Sequence, residues 1–137
     1  MTDPNQTPSP TGVLVIDKAY GRTSTSVCTV VKAPKRVKVG PGGTLGPLAS
    51  GVLVILIGKA TKLCDQVMAG EKEYLADIDL GVTSPTDDLE SEAVPTPDAS
   101  PIPREAIERA LRGFVGTIQQ RPPAHSAVKI GGKRAYH

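Results

Sequence analysis

Two short, uninterrupted apolar runs dominate the hydropathy pattern. Residues 12–17, GVLVID, and 52–57, VLVILI, each predict a buried strand. Between them, Ser24 or Thr25 caps a helix that runs to about Lys32 and is stopped by Pro34. Residues 59–69 predict a short helix closed by Gly70. Residues 73–80, EYLADIDL, alternate apolar and polar positions, the signature of a half-buried strand. Pro103 opens a helix over 104–113, with Ile107, Ala110 and Leu111 as its apolar stripe and Gly113 at its end. Shorter strands are expected near Val94 and over 126–130, the latter followed by a Gly131-Gly132 turn. The pattern is α+β: a mixed, mostly antiparallel sheet with flanking helices.

The punctuation between these elements is as informative. Residues 1–11, MTDPNQTPSPT, read as a disordered tail. Lys18 to Arg22 form a turn, and Lys35, Arg36 and Lys38 a basic connector. Residues 40–51, GPGGTLGPLASG, are a Gly/Pro-rich loop that demands special backbone angles and close approach by something. That loop suits a phosphate, an RNA segment or a purely structural turn. It is not a P-loop: Gly58-Lys59-Ala60-Thr61 lacks a hydroxyl directly after the lysine, and residue 53 is leucine where a glycine is required. Residues 82–103 are acidic, rich in Pro, Ser and Thr, and loop-like.

Composition narrows the classes. The chain has 137 residues, enough for one domain or a part of a larger one. Its aromatic residues are three tyrosines and one phenylalanine, too few for a surface of stacked aromatics such as common single-strand RNA binders use. The net charge is only +2, but it is strongly segregated. Residues 18–64 hold eight Lys or Arg and no acid, residues 65–108 twelve acids and two bases, and residues 109–137 six bases and no acid. The two basic blocks form a polyanion-binding face if the fold joins them, and otherwise cancel against the acidic one. Cys28 and Cys64 are the two cysteines, far apart and with no signal peptide ahead of them, which suits a reduced, cytoplasmic protein. No apolar run approaches a membrane span, and Cys28, Cys64, His125 and His137 do not fall at a metal-site spacing.

Four segments, in order and at matching separations, closely resemble the bacterial tRNA pseudouridine synthase B family, relatives of dyskerin. GVLVIDKAYGRTS is similar to the family's opening motif, usually G-hydrophobic-D-K-P-x-G-x-T/S-S. GPGGTLGPLASGVLVILIGKATKL is similar to its active-site motif, usually G-H-x-G-T/A-L-D-P-x-A-S/T-G followed by a strand and G-x-A-T-K. Glu71-Lys72-Glu73-Tyr74 matches a K-x-Y strand, and residues 120–136 a later Q-x-P-P-x-Y/F-S-A-x-K segment. The similarity runs from Gly12 to the last residue. It implies that residues 12–137 are the N-terminal part of a catalytic domain, with its remainder and a C-terminal RNA-binding domain lying beyond. It also implies isomerisation of a T-loop uridine in tRNA by a monomer that needs no cofactor or metal. The base is flipped out, detached from its ribose, turned and rejoined through carbon.

That chemistry uses an aspartate carboxylate at the sugar or base, an aromatic face for the flipped base and an arginine to orient the carboxylate. Here the chain departs from the family. The aspartate position is Gly46, which has no side chain, and the motif's histidine position is Pro41, which has neither imidazole nor N–H. The proline of the K-P pair is Ala19, and the family arginine falls beyond residue 137. Tyr74 matches the base-stacking tyrosine. The resemblance places Lys18, Pro41, Gly42, Gly43, Lys129 and Arg134 at substrate-contacting positions. Lys18, Arg22, Lys35, Arg36 and Lys38 are candidate phosphate contacts or a solvated basic face. Asp17, Asp65, Asp87 and Asp88 have no spacing that argues for rescue, Thr44 and Ser50 are weak nucleophiles without a base, and His125 replaces an aromatic. Three expectations stand: an inactive chain with unpaired strand edges, a tRNA-binding remnant or pseudogene product that holds RNA without turnover, or a piece of a working enzyme whose departures are sequence errors or edits.

Overall fold

The computed structural model describes residues 9–33, 37–97 and 100–121, with the backbone of 129–130 and 133–134. The chain divides into two compact units, residues 1–75 and 76–137. Both consist of small antiparallel sheets with helices, so the architecture is α+β.

In the first unit, β1 (Gly12–Lys18) and β2 (Val39–Pro41) flank β3 (Gly51–Ile57), and both pair with it antiparallel. The register runs from Gly12 opposite Ile57 to Lys18 opposite Gly51. Side chains alternate across a strand, so Leu14 and Ile16 share a face with Leu53 and Ile55. Helix α1 (Ser24–Lys32) covers that face. Cys28, Leu53 and Ile55 form the buried centre, with Ile16, Val27, Val31, Val39, Leu45 and Ile57 packed around it. The central strand is the deeply buried one: Ile55 is 0% exposed. The sequence pattern suggested that β1 would be buried as well, but it lies at the edge and is covered on one face only. Val13 and Val15 project from the other face, with Val15 63% exposed. An edge strand with a single helical layer against it has nothing to bury its second set of side chains.

The cap of α1 is Thr23, one residue before the two candidates read from sequence. Its Oγ1 accepts from the Ser26 N–H at 3.0 Å. After β3 the chain turns through Gly58, where φ is +61° and the N–H donates to the Lys38 carbonyl at 2.8 Å. A Cβ there would fall 2.4 Å from the Pro10 carbonyl oxygen, so only glycine fits. The helix expected over 59–69 is a tight 3-10 turn (Gly58–Leu63) followed by α2 (Cys64–Met68).

The strand expected over 73–80 is absent. A strand needs a neighbouring ladder to satisfy its N–H and C=O groups, and this segment pairs with none of the described residues. Its alternating apolar side chains stand in solvent. In the second unit, β4 (Val82–Thr83) and β5 (Val94–Pro95) form a minimal ribbon, and α3 (Arg104–Arg112) ends at Gly113. Of the stripe expected on α3, Ile107 is half-buried, while Ala110 and Leu111 are exposed. A second ribbon joins β6 (Lys129–Ile130) to β7 (Lys133–Arg134). Residues 126–128, the Gly131-Gly132 turn, His125, Pro34, Lys35, Arg36 and residues 1–8 of the N-terminal tail lie outside the described residues. Among the described residues, no helix is long and apolar enough to cross a membrane.

Candidate active-site loop

The site suggested by sequence is the connection from β2 to β3, and the opening segment of the chain builds it. Lys18, the last residue of β1, is 1% exposed. Its Nζ donates to the carbonyls of Arg22 at 2.7 Å and Ala19 at 3.1 Å. A buried ammonium is tolerated only when its donors are satisfied, and here the turn 19–22 wraps around it. Lys18 is therefore an internal clamp, not a cation facing solvent. The clamped turn aims the Gly21 N–H at the Pro47 carbonyl, 2.8 Å away.

Ser24 supplies a second tie. It is buried in the first turn of α1, and its Oγ donates to the Leu45 carbonyl at 3.1 Å and accepts from the Leu45 N–H at 3.0 Å. The two residues flanking Gly46 are thus both anchored to the β1–α1 connection. The Gly46 carbonyl closes the local turn by accepting from the Ala49 N–H at 3.2 Å, with Pro47 at the turn position its ring favours. Gly46 itself is exposed, and a Cβ built on it has no atom within 4 Å. It is not among the glycines with positive φ, so its backbone conformation does not require glycine.

The other loop positions have different reasons for their identity. Gly42 is buried and donates its N–H to the Val54 carbonyl at 2.8 Å. Gly43 adopts φ +138°, which an L side chain resists, but with open space around it. Pro41 ends β2 opposite Ile55, and its carbonyl accepts a weak bond from the Cys64 thiol at 3.6 Å. Lys18, Pro41, Gly42, Gly43 and Gly46 therefore belong to one connected arrangement. Tyr74 follows α2 in an irregular segment and is 67% exposed. The Lys72 Nζ ties the start of that segment to α2 by donating to the carbonyls of Met68 and Gly70. Lys129 and Arg134 sit directly opposite each other in the β6–β7 register, in the other unit.

Among the described residues, no carboxylate emerges as an evident replacement. Asp17 is exposed on β1 and Asp65 on α2. The Asp88 carboxylate accepts from Thr86 Oγ1 at 2.6 Å and from the Glu90 N–H at 2.9 Å, closing its own loop. Asp87 occupies a left-handed turn position at φ +57°. Among the described residues no group of three or more His, Cys, Asp or Glu is placed to hold a metal. Arg22, Lys32, Lys38, Lys59 and Lys62 are exposed cations of the first unit. Sequence reasoning missed Ser24 as a loop anchor, because it read the residue as a helix cap. Its partner lies 21 positions away, and no local pattern reports that.

What this loop can do is hold residue 46 in a defined place; it offers no nucleophile of its own there. The family model described as TruB family pseudouridylate synthase (N terminal domain) matches residues 30–137. The chain is 44% identical over 131 residues to tRNA pseudouridine synthase B of Phocaeicola vulgatus, covering 90% of this chain and 56% of that protein. It is 41% identical to the Fusobacterium nucleatum protein of the same name, covering 92% of this chain and 44% of that one. The Streptomyces griseus protein, again of that name, is 42% identical over 96% of this chain and 44% of its own length. The chain spans about half the length of the curated relatives it matches. The chain belongs to the TruB family of pseudouridylate synthases.

Proposed function

We propose that this chain carries the RNA-facing scaffold of a tRNA pseudouridine synthase and holds tRNA through its T-arm without isomerising a uridine. The isomerisation breaks the N1–C1′ bond, forms a C5–C1′ bond, releases the C5 hydrogen as a proton and leaves N1 to take up a proton in its place. In the family motif a carboxylate at residue 46 takes part at the sugar or base. The observation that carries the reading is Gly46: the loop around it is anchored on both sides, yet the position provides no carboxylate. Pro41 removes a second polar side chain from the same motif. Tyr74, solvent-facing and large, is the surface on which a flipped base stacks. The exposed cations Arg22, Lys38, Lys59 and Lys62 supply attraction to phosphates.

The test is binding of a T-arm hairpin across a salt series, followed by chemical mapping of pseudouridine in the same samples. Salt-sensitive binding with no modified base is expected. Pseudouridine at the T-loop, or binding that is undetectable or indifferent to salt, overturns the reading.

A further inference from the structure

We propose that Ser24 is a positioning residue. With Gly21 it fixes the direction in which a side chain at residue 46 leaves the loop, so that the loop is a preformed mount whose occupant glycine omits. This inference rests on the functional reading above for its purpose, though not for its geometry.

The argument starts from what the Ser24 hydroxyl is free to do. Serine at a helix start ordinarily caps, but Thr23 already caps α1 through the Ser26 N–H. The Ser24 hydroxyl is instead buried and turned to a residue 21 positions away. It engages both polar groups of Leu45, donating to the carbonyl and accepting from the N–H. One hydrogen bond would leave the peptide free to swivel, whereas two to the same residue restrain its rotation as well as its position. On the far side of residue 46, the Gly21 N–H holds the Pro47 carbonyl at 2.8 Å, and the proline ring restricts that residue's own φ. The backbone atoms of residue 46 are thus set by two neighbours that cannot turn independently. Those atoms alone determine where a Cβ points.

None of these bonds involves a side chain at 46, and none is improved by glycine there. The φ of Gly46 is outside the left-handed region, and the space a Cβ would enter is open. A loop needed only to join β2 to β3 has no reason to be pinned on both flanks of an exposed residue. The turn that provides Gly21 is itself held by the buried Lys18 ammonium, so the anchoring extends back to β1.

The experiment measures backbone order by NMR relaxation in the full chain, and in Ser24→Ala and Ser24→Thr. In the unsubstituted chain, Leu45 and Gly46 amides are expected at the order of rigid backbone, ~0.85. Ser24→Ala drops both below ~0.6, the flexible range, while α1 and β3 keep theirs. Ser24→Thr, which keeps the hydroxyl, restores them. The direction itself is read from the Cα–Cβ residual dipolar coupling of residue 46 in Gly46→Asp. It fits the alignment tensor defined by the core residues with Ser24 present and shrinks towards zero in Gly46→Asp combined with Ser24→Ala. Mobile Leu45 and Gly46 in the unsubstituted chain overturn the proposal, as does unchanged order in Ser24→Ala. Loss of order throughout, or of folding, assigns Ser24 to support of the fold and overturns it too. Pseudouridine formation by the unsubstituted chain would remove the functional reading but leave these order parameters as they are, so the two failures are distinguishable.

Discussion

Gly42 lies so close to Val67 of α2 that a Cβ placed on it would fall 2.8 Å from Val67 Cγ1 and 3.5 Å from Val54 Cγ1. Four residues on, Gly46 has nothing within 4 Å of the same construction. The two glycines of one motif therefore differ in kind. Gly42→Ala overpacks the contact between loop and helix and is expected to cost about 1–3 kcal/mol. Gly46→Ala meets no atom and restricts the unfolded chain, so stability is unchanged or rises by about 0.4–1 kcal/mol. Urea unfolding of both variants checks this, and equal losses at the two positions would contradict it.

Lys18 and Arg22 are both basic residues of the opening motif, but they are expected to respond differently to substitution. Lys18→Met removes the donor from two carbonyls that the fold has closed around it. A loss of about 1.5–3 kcal/mol is expected, the worth of hydrogen bonds to a charged group. Arg22 is exposed, and Arg22→Ala should leave stability within about 0.5 kcal/mol. In T-arm binding the order reverses. Arg22→Ala lowers the salt slope by about 1, while Lys18→Met, measured where it remains folded, leaves the slope alone. A changed slope in Lys18→Met would contradict its placement as an internal clamp.

Cys28 links stability to alkaline pH. Burial pushes its thiol above the ordinary value of 9.0. A raised folded value favours the protonated thiol in the native state. Its contribution is complete below about pH 9, where the unfolded thiol is still protonated, and is lost as pH rises from there through the folded value. Cys28→Ser should flatten that alkaline decline in the unfolding midpoint. The half-buried Cys64 should also react with a thiol reagent well before Cys28 at neutral pH. Equal reaction rates for the two would contradict the burial of Cys28.

Much of the first unit was legible in the sequence for physical reasons. The apolar run 52–57 becomes the central strand because Leu53 and Ile55 on one of its faces form the buried cluster with Cys28 of α1, and Ile57 packs against it. The helix at 24–32 needs only a capping hydroxyl and a regular local pattern. The segment 73–80 satisfied the alternation rule equally well and formed no strand, because alternation describes side chains while a strand also needs a partner backbone. The loop was recognisable by its Gly/Pro-rich motif. Its mechanics were not. Whether a lysine is solvated or clamped, as at Lys18, depends on a turn closing over it. Whether a glycine is required, as at Gly42, or spare, as at Gly46, depends on how near Val67 comes. Both are set by packing between segments distant along the chain.

The central claim is that this TruB-family scaffold presents residue 46 correctly and lacks the group that would act there. Tritium release tests it most directly, with the full chain in molar excess over T-arm RNA whose uridines are tritiated at C5. The expected result is release indistinguishable from a sample without protein, even where a gel shift shows the RNA bound. Release approaching one equivalent per RNA would contradict the account, because it would show that the isomerisation proceeds with glycine at position 46.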